Sequence, residues 1–161
     1  MAKPARKEEP VYYKALIVNI GEHYFAAPID NIQDVILRSP TTKVPLASKH
    51  IIGLLNLRGH VVTEINVAYT LGIEDDSELD DTNGYSIVIN HGNEMFSMVF
   101  EGVGDVIDIN TDDIEQLPDT SNKDWLSMTR GIFRTQERLI VILDFERLLA
   151  ALNPQHETSD E

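Results

Sequence analysis

Residues 51–67 read IIGLLNLRGHVVTEINV, the most apolar stretch of the chain. Periodicity alone permits a helix here. Gly53 and Gly59 count against it, because glycine inside a helix costs about 1 kcal/mol relative to alanine. The flanks are β-branched, which suits a pleated strand better. Two strands joined at Leu57-Arg58-Gly59 fit the pattern, with Gly59 supplying the turn conformation.

The same alternation extends outward from this hairpin. Upstream, Tyr13 to Ile20 is a run of β-formers, Gly21-Glu22-His23 a turn, and Tyr24 to Ala27 a return strand that Pro28 ends. In the IDNIQDV segment, Asp30 is placed to cap a short helical turn with Ile29, Ile32 and Val35 on one side. Val35-Ile36-Leu37 then reads as a strand before the loop SPTTK. Downstream, Asn83-Gly84 signals a turn. Tyr85 to Ile89 is a strand, turned by His91-Gly92-Asn93 into Met95 to Phe100. A third strand from Val103 to Ile109 is expected to complete a meander, with Gly102 and Gly104 marking a bulge. Thr111 to Leu117 reads as one helical turn and residues 119–124 as a polar loop. Thr129 to Thr135 and Leu139 to Leu143 form a hairpin across Gln136-Glu137-Arg138. DFERLLAAL closes the fold as a helix capped by Asp144, with Phe145, Leu148, Leu149 and Leu152 on its apolar face. Short strands at this spacing predict an all-β barrel or sandwich rather than βαβ units. No repeat is evident at solenoid periods.

The chain has 161 residues, 42% apolar and 25% charged, which suits one domain or two small packed halves. It contains no cysteine, so disulfides, a thiol nucleophile and cysteine zinc sites are excluded. The net charge is −14. Residues 74–82, 112–119 and 153–161 hold 13 of the 27 acids and no Lys or Arg, leaving 14 acids against 13 bases elsewhere. The body is therefore nearly neutral, and the acid runs read as solvated loops. Such a chain would repel a phosphate backbone and an anionic leaflet, so neither nucleic acid nor direct membrane insertion is expected. No stretch reaches the ~18 apolar residues of a spanning helix, and the start MAKPARKEEP lacks the apolar core of a secretory signal.

Catalytic and metal signatures are weak. The histidines at 23, 50, 60, 91 and 156 show no ligand spacing, and neither a GxSxG elbow nor a Walker loop is present. Asp108-x-Asn110-x-Asp112 imitates the opening of a calcium loop, but Asp113 stands where glycine is required and Asp119 where glutamate is required. The carboxylate clusters sit in polar runs with nothing apolar to tune them for acid–base work. Arg58 is the most informative charge, alone among mostly apolar neighbours. It must either face water beside Gly59 or meet a carboxylate across the barrel, since an unpaired buried charge is too costly. The residues themselves leave both readings open.

At this point the sequence resembles the bacterial chemotaxis coupling family CheW, from about Tyr13 to Leu152. The blocks GEHYFAAPI, NIQDVI, KVPLASKHIIGLLNLRGHVV, GVGDVIDI and RLIVILDFERLLA stand in the family's order, and IxGLxNLRGxVV is the most specific of them. The resemblance implies an all-β fold of two five-stranded, SH3-like or OB-like barrels packed over a shared core with a short C-terminal helix. It implies one domain over 11–153, with residues 1–10 and 154–161 as flexible tails. It also implies no catalysis and no cofactor, but an adaptor between the cytoplasmic tips of methyl-accepting chemoreceptors and the regulatory domain of the histidine kinase CheA. The expected location is the cytoplasm, at membrane-associated receptor arrays.

The family pairs the NLRG arginine, here Arg58, with an acid that matches Asp34, and this favours the ion pair. The receptor groove implied nearby makes Ile32, Val35, Gly53 and Asn56 further partner-binding candidates. The family commonly has proline, aspartate and aspartate where this chain has Thr63, Asn66 and Glu101. Only nine residues follow Leu152, so the added receiver domain of CheV-like relatives is not expected. The alternative reading is a small-ligand or cation-binding β-barrel, its acidic loops selecting a cation or a basic ligand.

Overall fold

The computed structural model describes residues 11–73, 83–121 and 123–152. The acidic run 74–82 and the tails read at 1–10 and 154–161 lie outside the described residues. Ten strands follow one another among these residues: β1 (Tyr12–Ile20), β2 (His23–Pro28), β3 (Ile32–Leu37), β4 (Ile51–Leu57), β5 (His60–Ile65), β6 (Tyr85–His91), β7 (Glu94–Phe100), β8 (Gly102–Asn110), β9 (Thr129–Arg134) and β10 (Leu139–Leu143). Among the described residues there are also three short α-helices: α1 (Val67–Thr70) after β5, α2 (Lys123–Met128) before β9 and α3 (Phe145–Leu152) after β10. No helix among the described residues is long and apolar enough to cross a membrane.

The strands form two five-stranded sheets, ordered β8-β1-β2-β10-β9 and β3-β6-β7-β5-β4. All neighbours are antiparallel except β2 with β10 and β5 with β7. Strand side chains alternate between faces, and that period sorts the core. Leu16, Val18 and Ile20 of β1, Phe25 of β2, Ile87 and Ile89 of β6, and Met98 and Phe100 of β7 meet in one core shared by both sheets. The intervening Ala15, Ala26, Ile109, Ile140 and Ile142 fill the interior of the first sheet. Tyr13 joins this second cluster. Burial pushes its phenol up, while the Arg130 guanidinium, 5.8 Å from the ring centroid, pulls the other way.

The sheets curl as barrels do, but no ladder joins β8 to β9 or β3 to β4. Each gap is spanned by one two-bond bridge: Thr42 with Leu54 (N···O 2.7 and 2.8 Å) and Glu115 with Ile132 (2.9 and 2.7 Å). The two halves correspond. Gly53, the third residue of β4, lies 13 positions before Asn66, the N-cap of α1. Gly131 lies 13 positions before Asp144, which caps α3 at the end of β9-β10. In each sheet a hairpin, β6-β7 or β1-β2, fills the centre, and β3 or β8 forms the far edge.

Several expectations are corrected. The segment 102–110 does not complete a meander, because β7 already pairs with β6 and β5. The Glu101 amide donates to Asn19 O (2.9 Å), and its carboxylate accepts from the Gly21 amide (2.8 Å), so the chain crosses to β1. The bulge is where the glycines marked it: Gly104 and Asp105 together oppose Ile17. The turn at Ile29–Asn31 is 3-10 with no side-chain cap from Asp30, and Ile32 and Val35 belong to β3. Residues 111–113 likewise form only a 3-10 turn before the Glu115 bridge. Within the calcium-like stretch, Asp108 pairs with Lys14 (2.8 Å) and Asn110 accepts from the Asp112 amide. The loop read at 119–124 runs into α2, whose Trp125 donates from Nε1 to Leu71 O (2.7 Å).

Asp144 caps α3 as expected: its carboxylate accepts from the Arg147 amide (3.1 Å) and faces Arg130 at 3.3 Å. Asp144→Ala is expected to cost about 1 kcal/mol, read in a thermal melt as a loss of about 2–4 °C. An unchanged melt would remove the cap from the stabilising contacts.

Candidate functional site

The hairpin β4-β5 turns through Arg58 (φ 55°) and Gly59 (φ 87°), two successive left-handed residues. Such a two-residue turn matches the twist of its flanking strands. Glycine adopts it freely and arginine does not. Asn56 steadies the turn, its Oδ1 accepting from the Gly59 amide at 3.0 Å. Leu57 pairs with His60 across it. The turn aims Arg58 over the open side of the second sheet, where β3 forms the opposite edge.

Arg58 Nη2 lies 2.9 Å from Asp34 Oδ2, and the other Asp34 oxygen accepts from the Val35 amide at 2.9 Å. Both readings of Arg58 therefore hold at once. It is a turn arginine with 74% of its side chain exposed, and it pairs across the sheet with a carboxylate that is 25% exposed. In so exposed a pair, solvent screening leaves at most about 1 kcal/mol of stabilisation. Its consequence is placement, since it holds a planar, permanently charged donor at a rim.

Beside the pair lies a groove of about 690 Å³, lined among others by Gln33, Leu57, His60, Val61, Asn90 and Met95. Of the sequence-derived candidates, Asp34 and Arg58 line it. Val35 is exposed on β3. Ile32 packs against the shared core, and Asn56 serves the turn. Gly53 is buried against Thr41 and Thr42, beside the bridge rather than at the groove. His60, Val61 and the β6-β7 turn were not singled out from sequence. Val61 carried a usable signal, since period 2 puts it opposite buried Val62. The β6-β7 contribution carried none, because only the parallel pairing of β5 with β7 brings that turn alongside.

Asn66 and Glu101 each accept a hydrogen bond from a backbone amide. Asn66 Oδ1 accepts from the Tyr69 amide at 3.0 Å, and Glu101 binds the β1-β2 turn.

The chain is similar to known proteins over most of its length. The family model for the CheW-like domain matches residues 14–153. The chemotaxis protein CheW of Helicobacter pylori is 28% identical over 92% of this chain and 87% of its own length. That of Thermotoga maritima is 28% identical over 85% of this chain and 87% of its own. The crystal structure of the scaffolding protein TtCheW from Thermoanaerobacter tengcongensis superposes with a TM-score of 0.75 at 22% identity, covering 91% of this chain and 93% of that one. With two curled sheets over one core, the hairpin arginine across the gap from its acid, and a family match over nearly all of the described chain, this protein belongs to the CheW-like domain family.

Proposed function

We propose that this protein is a non-catalytic adaptor that couples the cytoplasmic tips of methyl-accepting chemoreceptors to the regulatory domain of the histidine kinase CheA. On this reading the unit is one CheW-like domain over 11–153, working in the cytoplasm at receptor arrays. The observation that carries the reading is the Arg58–Asp34 pair, exposed at the rim of a groove and built by a strained turn. Backbone strain kept at an exposed site points to a use there. Val35 and Val61 supply exposed apolar surface close in sequence to the pair, and Ile32, Gly53 and Asn56 support its strands. A groove that sets apolar Leu57, Val61 and Met95 among polar Gln33, Thr63 and Asn90, with a charged rim, suits the mixed surface of an amphipathic helix such as a receptor tip.

A second groove, of about 620 Å³ and lined among others by Ile17, Tyr24, Ile107, Arg138 and Ile140, is a place for the small-ligand alternative to sit. There the Arg138 guanidinium already lies 3.9 Å from the Tyr24 ring centroid, covering the aromatic face that a cation would use.

Arg58→Glu tests the adaptor. Receptor-dependent kinase stimulation in a reconstituted assay is expected to fall about tenfold, the scale of one interface hot spot. The melting temperature should stay within about 4 °C of wild type, because the lost pair is exposed. Full stimulation by this variant would overturn the assignment of the groove.

A further inference from the structure

The stretch from Val35 to Thr63 contains no Asp or Glu, in a chain that carries 27 of them, and it holds Arg38, Lys43, Lys49 and Arg58. It also supplies Val35, Leu37, Val44, Leu46 and Val61, half of the exposed large apolar side chains among the described residues. Both non-glycine residues with positive φ among the described residues, Leu46 (φ 64°) and Arg58, fall within it. Arg58 belongs to the groove described above, but Leu46 does not.

Leu46 is fully exposed on the segment between β3 and β4. The Ala47 amide donates to Val44 O (3.2 Å), closing a turn with Pro45 and Leu46 at its centre. Proline followed by a left-handed residue is the pattern of a type II turn, whose left-handed position favours glycine. A leucine there bears backbone strain and leaves its whole side chain in water, and nothing in the fold gains from either.

The turn is nevertheless firmly held. Upstream, Thr42 bridges Leu54. Downstream, the Ile51 amide donates to Ser48 O (3.0 Å) and the Asn66 amide to His50 O (2.7 Å). The His50 ring packs edge-on to Tyr69, 5.0 Å between centroids, with Nδ1 3.0 Å from the Thr70 hydroxyl. Exposed Lys43 and Lys49 flank the turn. A rigid apolar tip between two cations is organised before any partner arrives, which lowers the ordering cost of binding.

We infer that the 43–49 turn is a docking anchor, in which Leu46 enters an apolar socket on a protein partner whose carboxylate rim meets Lys43 and Lys49. The inference rests on the adaptor reading and adds a second contact to it, on a different surface of the same sheet. Charge decides the kind of partner: Glu64 and Asp34 pair with Arg38 and Arg58, but the turn's own segment holds no acid, so exposed Lys43 and Lys49 complement an acidic rim.

The test uses the full chain, titrated separately against purified CheA and a receptor cytoplasmic fragment. Leu46→Gly removes the tip and places the favoured residue at positive φ, so it should melt at or above the wild-type temperature. Its affinity for at least one of the two partners should fall about tenfold. Lys43→Glu/Lys49→Glu should weaken the same partner and flatten the salt dependence of its binding. Unchanged affinity of Leu46→Gly for both partners would overturn the anchor while leaving the adaptor standing. Wild-type protein binding neither partner would remove both. Leucine-dependent binding to anionic phosphatidylserine vesicles, or leucine-dependent self-association in sedimentation, would also overturn the assignment to a protein partner.

Discussion

Glu64→Ala is expected to lower the melting temperature by about 10 °C, corresponding to about 3–5 kcal/mol for a chain of this size. Glu64 and Arg38 are both fully buried, with Arg38 Nη2 3.1 Å from Glu64 Oε1. The second carboxylate oxygen accepts from the Ser86 hydroxyl (3.0 Å) and the Ser97 hydroxyl (3.2 Å). These side chains come from β5, β6, β7 and the end of β3, so they tie four segments of the second sheet at one point. Removing the carboxylate takes away the charge 3.1 Å from the buried Arg38 guanidinium, and leaves two buried hydroxyls short of an acceptor. That residual cost, rather than any large net worth of the pair, makes the loss severe. The same argument sets the second half of the test. Arg38→Met with Glu64→Leu removes both charges and should recover most of the lost stability or exceed wild type. A double variant less stable than Glu64→Ala, or a Glu64→Ala melt within 2–3 °C of wild type, would contradict this account.

The buried pair also shows where reading the sequence stopped. Strands and hairpins were legible because turn chemistry and period-2 alternation are local: Arg58-Gly59, Gly92-Asn93 and the Gln136–Arg138 segment all turn the chain as read. Sheet membership was not local. The parallel pairing of β2 with β10 joins residues more than 100 positions apart, and no residue in either strand announces it. The same long connections hid the correspondence of the two halves, whose offset of 78 positions, from Gly53 to Gly131, exceeds solenoid periods.

At the site, Arg58 was marked by its apolar surroundings, but Asp34 was reached only through the family resemblance. For the buried pair, the overlooked signal was in VVTEI, where Glu64 shares the inward face with Val62. A carboxylate on that face requires a buried partner. Ser86 and Ser97, small hydroxyls on the inward faces of otherwise apolar strands, were the matching clue.

Gly131→Ala is expected to cost about 3 kcal/mol and Gly53→Ala about 2 kcal/mol, because each puts a methyl group against a backbone carbonyl. A Cβ at Gly131 would stand 2.5 Å from Glu115 O, and one at Gly53 would stand 2.6 Å from Thr42 O. Both carbonyls belong to the bridges that span the open sides of the sheets, so neither can move without breaking a bridge hydrogen bond. Gly131 carries the further strain of φ 143°, which is why its replacement should be the worse. Gly92→Ala separates the two causes. Its φ of 64° is also left-handed, but nothing lies within 4 Å of the added carbon, so only the conformational cost of about 1 kcal/mol applies.

Hydrogen exchange gives the local readout. Gly131→Ala should expose the Glu115 and Ile132 amides, and Gly53→Ala those of Thr42 and Leu54, each with little effect on the other bridge. The two variants should also divide by function. The Thr42 bridge and the Arg58–Asp34 pair span the same gap in the second sheet. Gly53→Ala should therefore loosen the docking face and reduce kinase stimulation at temperatures where the protein remains folded. Gly131→Ala, in the other half, should reduce stability more and stimulation less. If stimulation instead simply followed melting temperature across both variants, the bridge at Gly53 would be a stability element alone, and the gap it spans would have no special part in docking.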